Sequence, residues 1–168
     1  MIDYTKQVLV AQVEGALSML RRCIEACPVA AWEGQIANGT FRWVSYHTLF
    51  FVDLYLTPTE EAFQLRELHT CGGDEREPVA CLGLPKEETL SYLMICHEKM
   101  LAAIAAETAE TLQGLSGFSW YEVTRGEMHL VNIRHIQHHT GQLSAYLRRV
   151  VPECQDPRAL RWVGSGWR

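Results

Sequence analysis

The sequence predicts one all-α domain over residues 1–168, folded as a four-helix bundle. Three observations lead to this prediction. Apolar residues recur at helical spacing in four long segments, alternating strand patterns are scarce, and 168 residues are enough to bury a core without disulfides or a metal. The composition, 48% apolar and 21% charged, is ordinary for a globular protein.

The N-terminal half contains two predicted long helices and one short one. The first helix covers about residues 3–26, where apolar side chains recur from Val8 to Ile24, and Pro28 ends it. The second covers 43–56, WVSYHTLFFVDLYL, and ends near Pro58. A short helix is predicted over 59–68, where Thr59 could cap an acidic first turn.

The C-terminal half contains two more long helices and two loops. Residues 69–85 are rich in Gly and Pro and predict a loop, after which Pro85 begins a helix over 86–108. A second loop is predicted over 114–127, and the last helix over 127–150. We expect the tail, 151–168, to pack across the bundle or against a second subunit. The unequal loops allow an up-down-down-up or a crossover order.

Charge and hydropathy exclude several classes of partner. The net charge of −5 argues against nucleic-acid binding. The nearest basic group is sparse and C-terminal, as expected of a solvated helix end and tail: Arg148, Arg149, Arg158, Arg161 and Arg168. No apolar run approaches the roughly eighteen residues of a membrane span, and the N-terminus lacks a signal-peptide pattern. We therefore expect a cytoplasmic protein that does not bind membranes. Its expected partner, as an enzyme, is a small-molecule substrate.

The six cysteines lack the CxxC pairs of a structural zinc site. Cys23 and Cys27 are one helical turn apart, a spacing that a metal or a redox pair could use. Two small buried hydrophobic side chains are the favoured interpretation.

The segment RHIQHHTGQ, residues 134–142, concentrates three of the seven histidines. Counting about 100° per residue from His135, His139 lies near 40° and His138 near 300°. His135 and His139 therefore share the inward face of the last helix, and His138 lies at its edge. Buried imidazoles need partners, and two histidines at i, i+4 are a known metal-ligand spacing.

A zinc-type site usually needs a third protein ligand, and His47, in the aromatic second helix, is the natural candidate. Spacing alone leaves two interpretations open: a site of His47, His135 and His139, or hydrogen-bonded core histidines. His69 borders the Gly-rich loop and His97 is expected near the surface. His129, one step off the inward face, is expected to be exposed.

The motif H-x-x-x-H-x-G-Q in the last helix, here His135, His139, Gly141 and Gln142, resembles that of the DinB/YfiT-like superfamily. The histidine in WVSYHTLFF also fits this family. The resemblance implies a four-helix bundle that binds one divalent metal, commonly zinc or nickel, through three histidines. These would fall on His47, His135 and His139. The sequence departs at Thr140, where relatives often carry an arginine.

Characterised members of that family include transferases and isomerases that use low-molecular-weight thiols such as bacillithiol or mycothiol. The resemblance therefore implies a thiol-dependent S-transferase. A metal-dependent hydrolase and a non-catalytic stress-response module with a metal-stabilised fold remain alternatives. No general acid or base can be identified, and Tyr121, Glu122 and Glu127 are only candidates.

Other polar residues of the last helix have weaker predicted roles. Gln142 could hydrogen-bond a ligand histidine or pack between helices. The same two interpretations apply to Asn132. His138 is interpreted as a supporting or surface residue. A homodimer is compatible with exposed apolar helix faces and with the tail.

Overall fold

The computed structural model describes residues 1–36, 39–69 and 83–168. Its elements in chain order are α1 (Ile2–Ala26), α2 (Val29–Trp32), β1 (Gln35–Ile36), β2 (Gly39–Thr40), α3 (Phe41–Tyr55), α4 (Lys86–Ala106), α5 (Ala109–Gln113), α6 (Arg125–Val150) and a 3-10 turn at Pro152–Gln155. The two short strands pair antiparallel, with Ile36 opposite Gly39. The all-α prediction is confirmed.

Helices α1 and α4 pack antiparallel. Near the beginning of α1, Lys6 donates to the Ala105 carbonyl at the end of α4. At the other end, Lys86 of α4 donates to the carbonyl of Glu25.

Helices α3 and α4 run parallel, as cross-contacts between them advance together along both helices. The rings of Tyr46 and Tyr92 lie 6.3 Å apart, and about two turns further along both helices Lys99 donates to Asp53.

Helix α6 runs antiparallel to α3. Its first residue, Arg125, reaches the carbonyl of Tyr55 at the end of α3, and the His139 ring lies 4.9 Å from that of His47. Helices α1 and α6 also pack together. The order is therefore up-down-down-up, one of the two that the sequence left open.

Side-chain caps determine where the two site-bearing helices begin. Thr40 precedes α3, and its hydroxyl accepts from the backbone N–H of Trp43 at 3.1 Å. Thr124 and Glu127 form a reciprocal capping box before α6. Because this box closes the first turn, α6 begins at Arg125, two residues earlier than predicted.

The predicted helix over 59–68 is wrong, since the structure has turns and irregular backbone there. Thr59 does accept from the N–H of Ala62, at 3.3 Å, but this turn does not propagate. Arg66 instead forms a paired contact with the buried carboxylate of Asp53, at 2.6 and 3.2 Å. This long-range ion pair replaces a helix too short to be stable alone. Most of the predicted 69–85 loop, residues 70–82, lies outside the described residues.

The cysteines that the structure describes support the interpretation of Cys23 and Cys27 as small buried hydrophobic side chains. Cys23, Cys27, Cys96 and Cys154 are buried free thiols. Burial raises the pKa of Cys23 and that of Cys27 to about 12, so both remain protonated near neutral pH. Cys71 and Cys81 lie outside the described residues. None of the described helices is both long and apolar enough to span a membrane.

The C-terminal tail packs across the bundle over α1 and α4. The Trp167 ring stacks on His97 of α4 at 4.2 Å, and Arg21 of α1 lies 4.5 Å from the centre of the indole. The N–H of Gly166 donates to the Ala11 carbonyl at 2.8 Å. His97 also contacts Glu14 at 3.0 Å, which places it between helix and tail.

We expect Trp167→Ala to lower the free energy of unfolding by about 2 kcal/mol, because it removes a partly buried aromatic ring from between two helices. Urea unfolding followed by circular dichroism measures this. Trp162→Ala is the matched control, since Trp162 is 67% exposed in the same tail. Equal destabilisation by both changes would contradict the prediction.

Candidate metal centre

The structure brings His47 of α3 together with His135 and His139 of α6. One ring nitrogen from each lies within 4.8 Å of the other two, close enough to hold a metal ion. The ring centres are 4.5 Å apart for His135 and His139, and 5.4 and 4.9 Å from His47 to each of these. Among the described residues this is the group of His, Cys, Asp or Glu that meets this criterion.

The environment keeps the two histidines of α6 neutral. Burial, followed by the neighbouring histidines, lowers the pKa of His135 to about 2. Burial also lowers the pKa of His139 to about 4, against the opposing effect of its hydrogen bond to Gln142. Aromatic rings form one wall, with Trp43 stacked on His47 at 4.6 Å and Phe51 at 4.8 and 5.4 Å from His47 and His135. Neutral imidazoles retain the lone pair that a metal requires.

Gln142 orients His139. Its Oε1 lies 2.9 Å from His139 Nδ1, and its Nε2 lies 3.3 Å from His138 Nε2. Because an amide oxygen only accepts, Nδ1 of His139 carries the proton and Nε2 carries the lone pair. This is the way in which ligand histidines are usually held by a second residue. Exposed His138 lies at the edge of the cluster, as the helical count predicts.

Unsatisfied polar atoms provide a test of whether a cation fits. Nδ1 of His135 is buried and has no hydrogen-bond partner within the described part of the chain. Leaving such a nitrogen unpaired costs free energy, and coordination or an ordered water would satisfy it. The donor set of three neutral imidazoles also suits zinc and nickel. The residues therefore fit a divalent metal.

Asn132 does not support a ligand histidine. Its side-chain amide is buried, and neither the oxygen nor the nitrogen has a hydrogen-bond partner among the residues that the structure describes. Of Asn132 and Gln142, the two candidates from the sequence, it is Gln142 that contacts a ligand histidine.

An open groove of about 470 Å³ lies beside the histidines. Its lining consists of Tyr121, Val131, Arg134, His135, Gln137 and His138. Of the candidate acid–base residues, Tyr121 borders this groove. Glu122 is exposed, and the carboxylate of Glu127 is held by Thr124 in the helix cap at 2.8 Å. Glu127 therefore has a structural role.

The prediction that His129 is exposed is wrong. His129 is buried, and its Nε2 lies 2.9 Å from Oε1 of Glu107. Glu107 follows the last residue of α4, and the same oxygen accepts from Arg125 at 2.9 Å. Because α5 as well as α1 and α3 packs against α6, a residue one step off the inward face is also covered.

Arg125 ties this group to the end of α3. Its guanidinium donates to the carbonyls of Tyr55, Leu56 and Thr57 at 2.8 to 3.2 Å, besides its contact with Glu107. The last carbonyls of a helix lack partners within the helix, and Arg125 supplies them. The sequence offered no signal for this contact, because the partners are about seventy residues apart.

Protonation of His129 provides a test of its burial. Burial lowers its pKa below the usual 6.5, and this effect exceeds the opposing effect of the hydrogen bond that His129 donates to Glu107. The unfolded chain therefore binds a proton that the folded protein excludes, and stability falls as pH drops below about 6.5. We expect His129→Gln to show a shallower fall, by up to about 1.4 kcal/mol per pH unit.

Urea unfolding at pH 7, 6 and 5, with a chelator present, measures that difference. The matched control is His138→Gln, a change at an exposed histidine of the same helix. A His129→Gln variant whose stability falls as steeply as the wild type would show that the folded protein takes up the proton.

His69 belongs to a different group from the metal candidates. Its Nδ1 accepts from the backbone N–H of Arg66 at 2.6 Å, and its Nε2 lies 3.0 Å from the Tyr92 hydroxyl. That hydroxyl donates to Asp53, whose carboxylate is fully buried. Burial alone would raise the pKa of Asp53, but Arg66 and Lys99 together hold it below its usual range. This group fixes the segment after α3 against the bundle.

Comparison with known proteins identifies the family of the chain. A family model described as the DinB superfamily matches residues 12–143, a range that includes His47, His135 and His139. Comparisons with curated proteins and with solved structures give no match. The match covers most of the chain, including α3, α4 and nearly all of α6 up to Leu143. The chain belongs to the DinB superfamily.

Proposed function

We propose that the protein is a metal-dependent enzyme, a thiol-dependent S-transferase, in which His47, His135 and His139 hold a divalent metal such as zinc or nickel. The observation that carries the proposal is the convergence of three imidazoles from two helices within 4.8 Å. Membership of the DinB superfamily supports the metal. The open groove beside His135 supports a catalytic site rather than a closed structural one.

The protein's own residues contribute orientation and a partly buried environment. Gln142 fixes the tautomer of His139, and burial keeps His135 and His139 uncharged. Trp43 and Phe51 cover one side of the cluster. His47, His135 and His139 would leave a divalent metal its full charge, and the metal would supply Lewis-acid chemistry that activates a thiol or water.

The groove is the proposed place for the electrophilic substrate. Tyr121 and Arg134 line it together with His135, so a hydroxyl and a guanidinium are available for binding. In the net reaction, the thiol sulfur forms a bond to the electrophilic carbon and the bond to the leaving group breaks. The thiol proton is released with that group.

The test is thiol-dependent consumption of monochlorobimane, in which the sulfur displaces chloride. The protein is loaded with zinc or nickel and assayed with several low-molecular-weight thiols. We expect turnover that requires both metal and thiol and that is lost in His139→Ala. Arg148→Gln is the control, because Arg148 lies at the far end of α6 and contacts the tail. Ester hydrolysis without any thiol would contradict the transferase and identify the protein as a hydrolase. Metal-dependent stability without turnover would favour the non-catalytic module.

A further inference from the structure

A second concavity, of about 400 Å³, lies where the C-terminal tail crosses α1. Its lining combines Arg22 of α1 with Arg161, Trp162, Gly164, Ser165 and Arg168 of the tail. We call Arg22, Arg161 and Arg168 the tail arginines. The sequence suggested only a sparse, solvated basic tail, because Arg22 is far from the other two along the chain. Folding brings the three together.

The tail arginines differ from most other arginines of the protein in having no acidic partner. Arg42, Arg66, Arg125 and Arg158 each contact a carboxylate. Within residues 1–36, 39–69 and 83–168, no side-chain hydrogen bond or ion pair is formed by Arg22, Arg161 or Arg168. No Asp or Glu side chain is among the residues that line the concavity either. Three like charges facing one space repel each other, and a bound anion would relieve that repulsion.

The backbone beside the tail arginines adds further donors. The N–H groups of Gly164 and Ser165 donate to no acceptor among the described residues. The neighbouring N–H, that of Gly166, is bound to Ala11, and Gly166 has a φ of +75°, which favours glycine. The tail is thus anchored to α1 at Gly166, and the N–H of Gly164 keeps its donor capacity unused among the described residues. Backbone N–H groups together with guanidinium groups are what recognise phosphate.

Trp162 supplies a flat apolar surface at the same place. It is 67% exposed, and its Nε1 lies 3.9 Å from where a side chain at Gly164 would begin. The indole therefore lies beside Gly164. An exposed tryptophan beside cationic donors is suited to a ligand that carries both a planar ring and negative charge, since an aromatic base can stack on the indole.

We propose that this concavity binds a nucleotide, with the phosphates on the tail arginines and the base on Trp162. The charge of a nucleoside triphosphate complements three guanidinium groups, and the volume lies within the usual range for small-ligand pockets. The site is separate from the three histidines and does not depend on the proposed transferase function.

The experiment is isothermal titration of the full-length, metal-free protein with ATP, AMP, tripolyphosphate and adenosine in about 0.1 M salt, where long-range attraction is screened. We expect ATP to bind more tightly than AMP, and adenosine to bind least. Arg161→Gln and Arg22→Gln should each weaken ATP binding at least about tenfold, since each removes a charged hydrogen bond. Trp162→Ala should weaken ATP but not tripolyphosphate.

Three controls make the test specific. Arg158→Gln changes an exposed arginine of the same tail that is paired with Asp156, and should leave the affinity unchanged. Trp120→Ala changes another exposed tryptophan, and His135→Ala removes the other site; both should bind ATP as the wild type does. Absence of ATP binding, or equal weakening by Arg158→Gln, would overturn the site. Equal binding of tripolyphosphate and ATP, with Trp162→Ala neutral, would overturn the nucleotide as its ligand.

Discussion

Replacing His135 by alanine is expected to remove stable metal binding, with at least about a hundredfold loss of affinity. Changing a residue that only supports a metal ligand typically lowers metal affinity 10–100-fold, and loss of a ligand itself should lower it more. His135 is one of three donors, so two remain, too few for a zinc-type site. Elemental analysis after dialysis against micromolar zinc measures the bound metal per chain.

His138→Ala is the matched control for this prediction. His138 is adjacent in sequence to His139 and its ring lies 4.9 Å away, but it is exposed at the edge of the cluster. We expect this variant to bind metal within about a hundredfold of the wild type, because at most a supporting contact is lost. Full metal content in His135→Ala, with helical circular dichroism intact, would show that the three histidines do not form the site.

Replacing Glu107 by glutamine is expected to lower the free energy of unfolding by about 3 kcal/mol or more, because it leaves a buried arginine without its counter-charge. The side chains of Arg125 and Glu107 are only 7% and 8% exposed, so water cannot compensate. The same change weakens the contacts of Glu107 with His129 and Thr111. Urea unfolding at pH 7 measures the loss.

Glu98→Gln is the control for Glu107. Glu98 lies on the exposed side of α4, and surface changes of this kind usually alter stability by about 0.5 kcal/mol or less. Similar stability of both variants would mean that Arg125 finds enough compensation in the carbonyls of Tyr55, Leu56 and Thr57 alone.

The sequence predicted the elements whose signals are local. The apolar spacing of α1, the prolines that bound α1 and α4, and the i, i+4 spacing of His135 and His139 depend only on neighbouring residues. His47 could be proposed because inward histidines need partners and because the family motif contains one in this helix. That the three rings meet depends on the antiparallel packing of α3 and α6, which only the structure provides.

The wrong predictions share a physical cause, namely contacts between distant parts of the chain. The 59–68 segment has helical composition, but its Arg66 is held by Asp53 of α3. The exposure predicted for His129 assumed one buried face for α6, whereas α5 covers a second. The contacts of Glu107 with Arg125 and His129 could not be deduced from sequence spacing. The same holds for the proximity of Arg22 to the tail, because no periodic pattern links these distant residues. The homodimer and the cytoplasmic location stay predictions.

The anchoring of α3 by Arg125 has a consequence for the proposed metal centre. Arg125 and His135 lie on the same helix, and Arg125 is bound to the last carbonyls of the helix that carries His47. The longitudinal register between α3 and α6 is therefore fixed without any ion. A metal bound by the three histidines would find its ligands preorganised, so little of its binding free energy would be spent on ordering the chain. Loss and recovery of the metal should then leave the bundle intact.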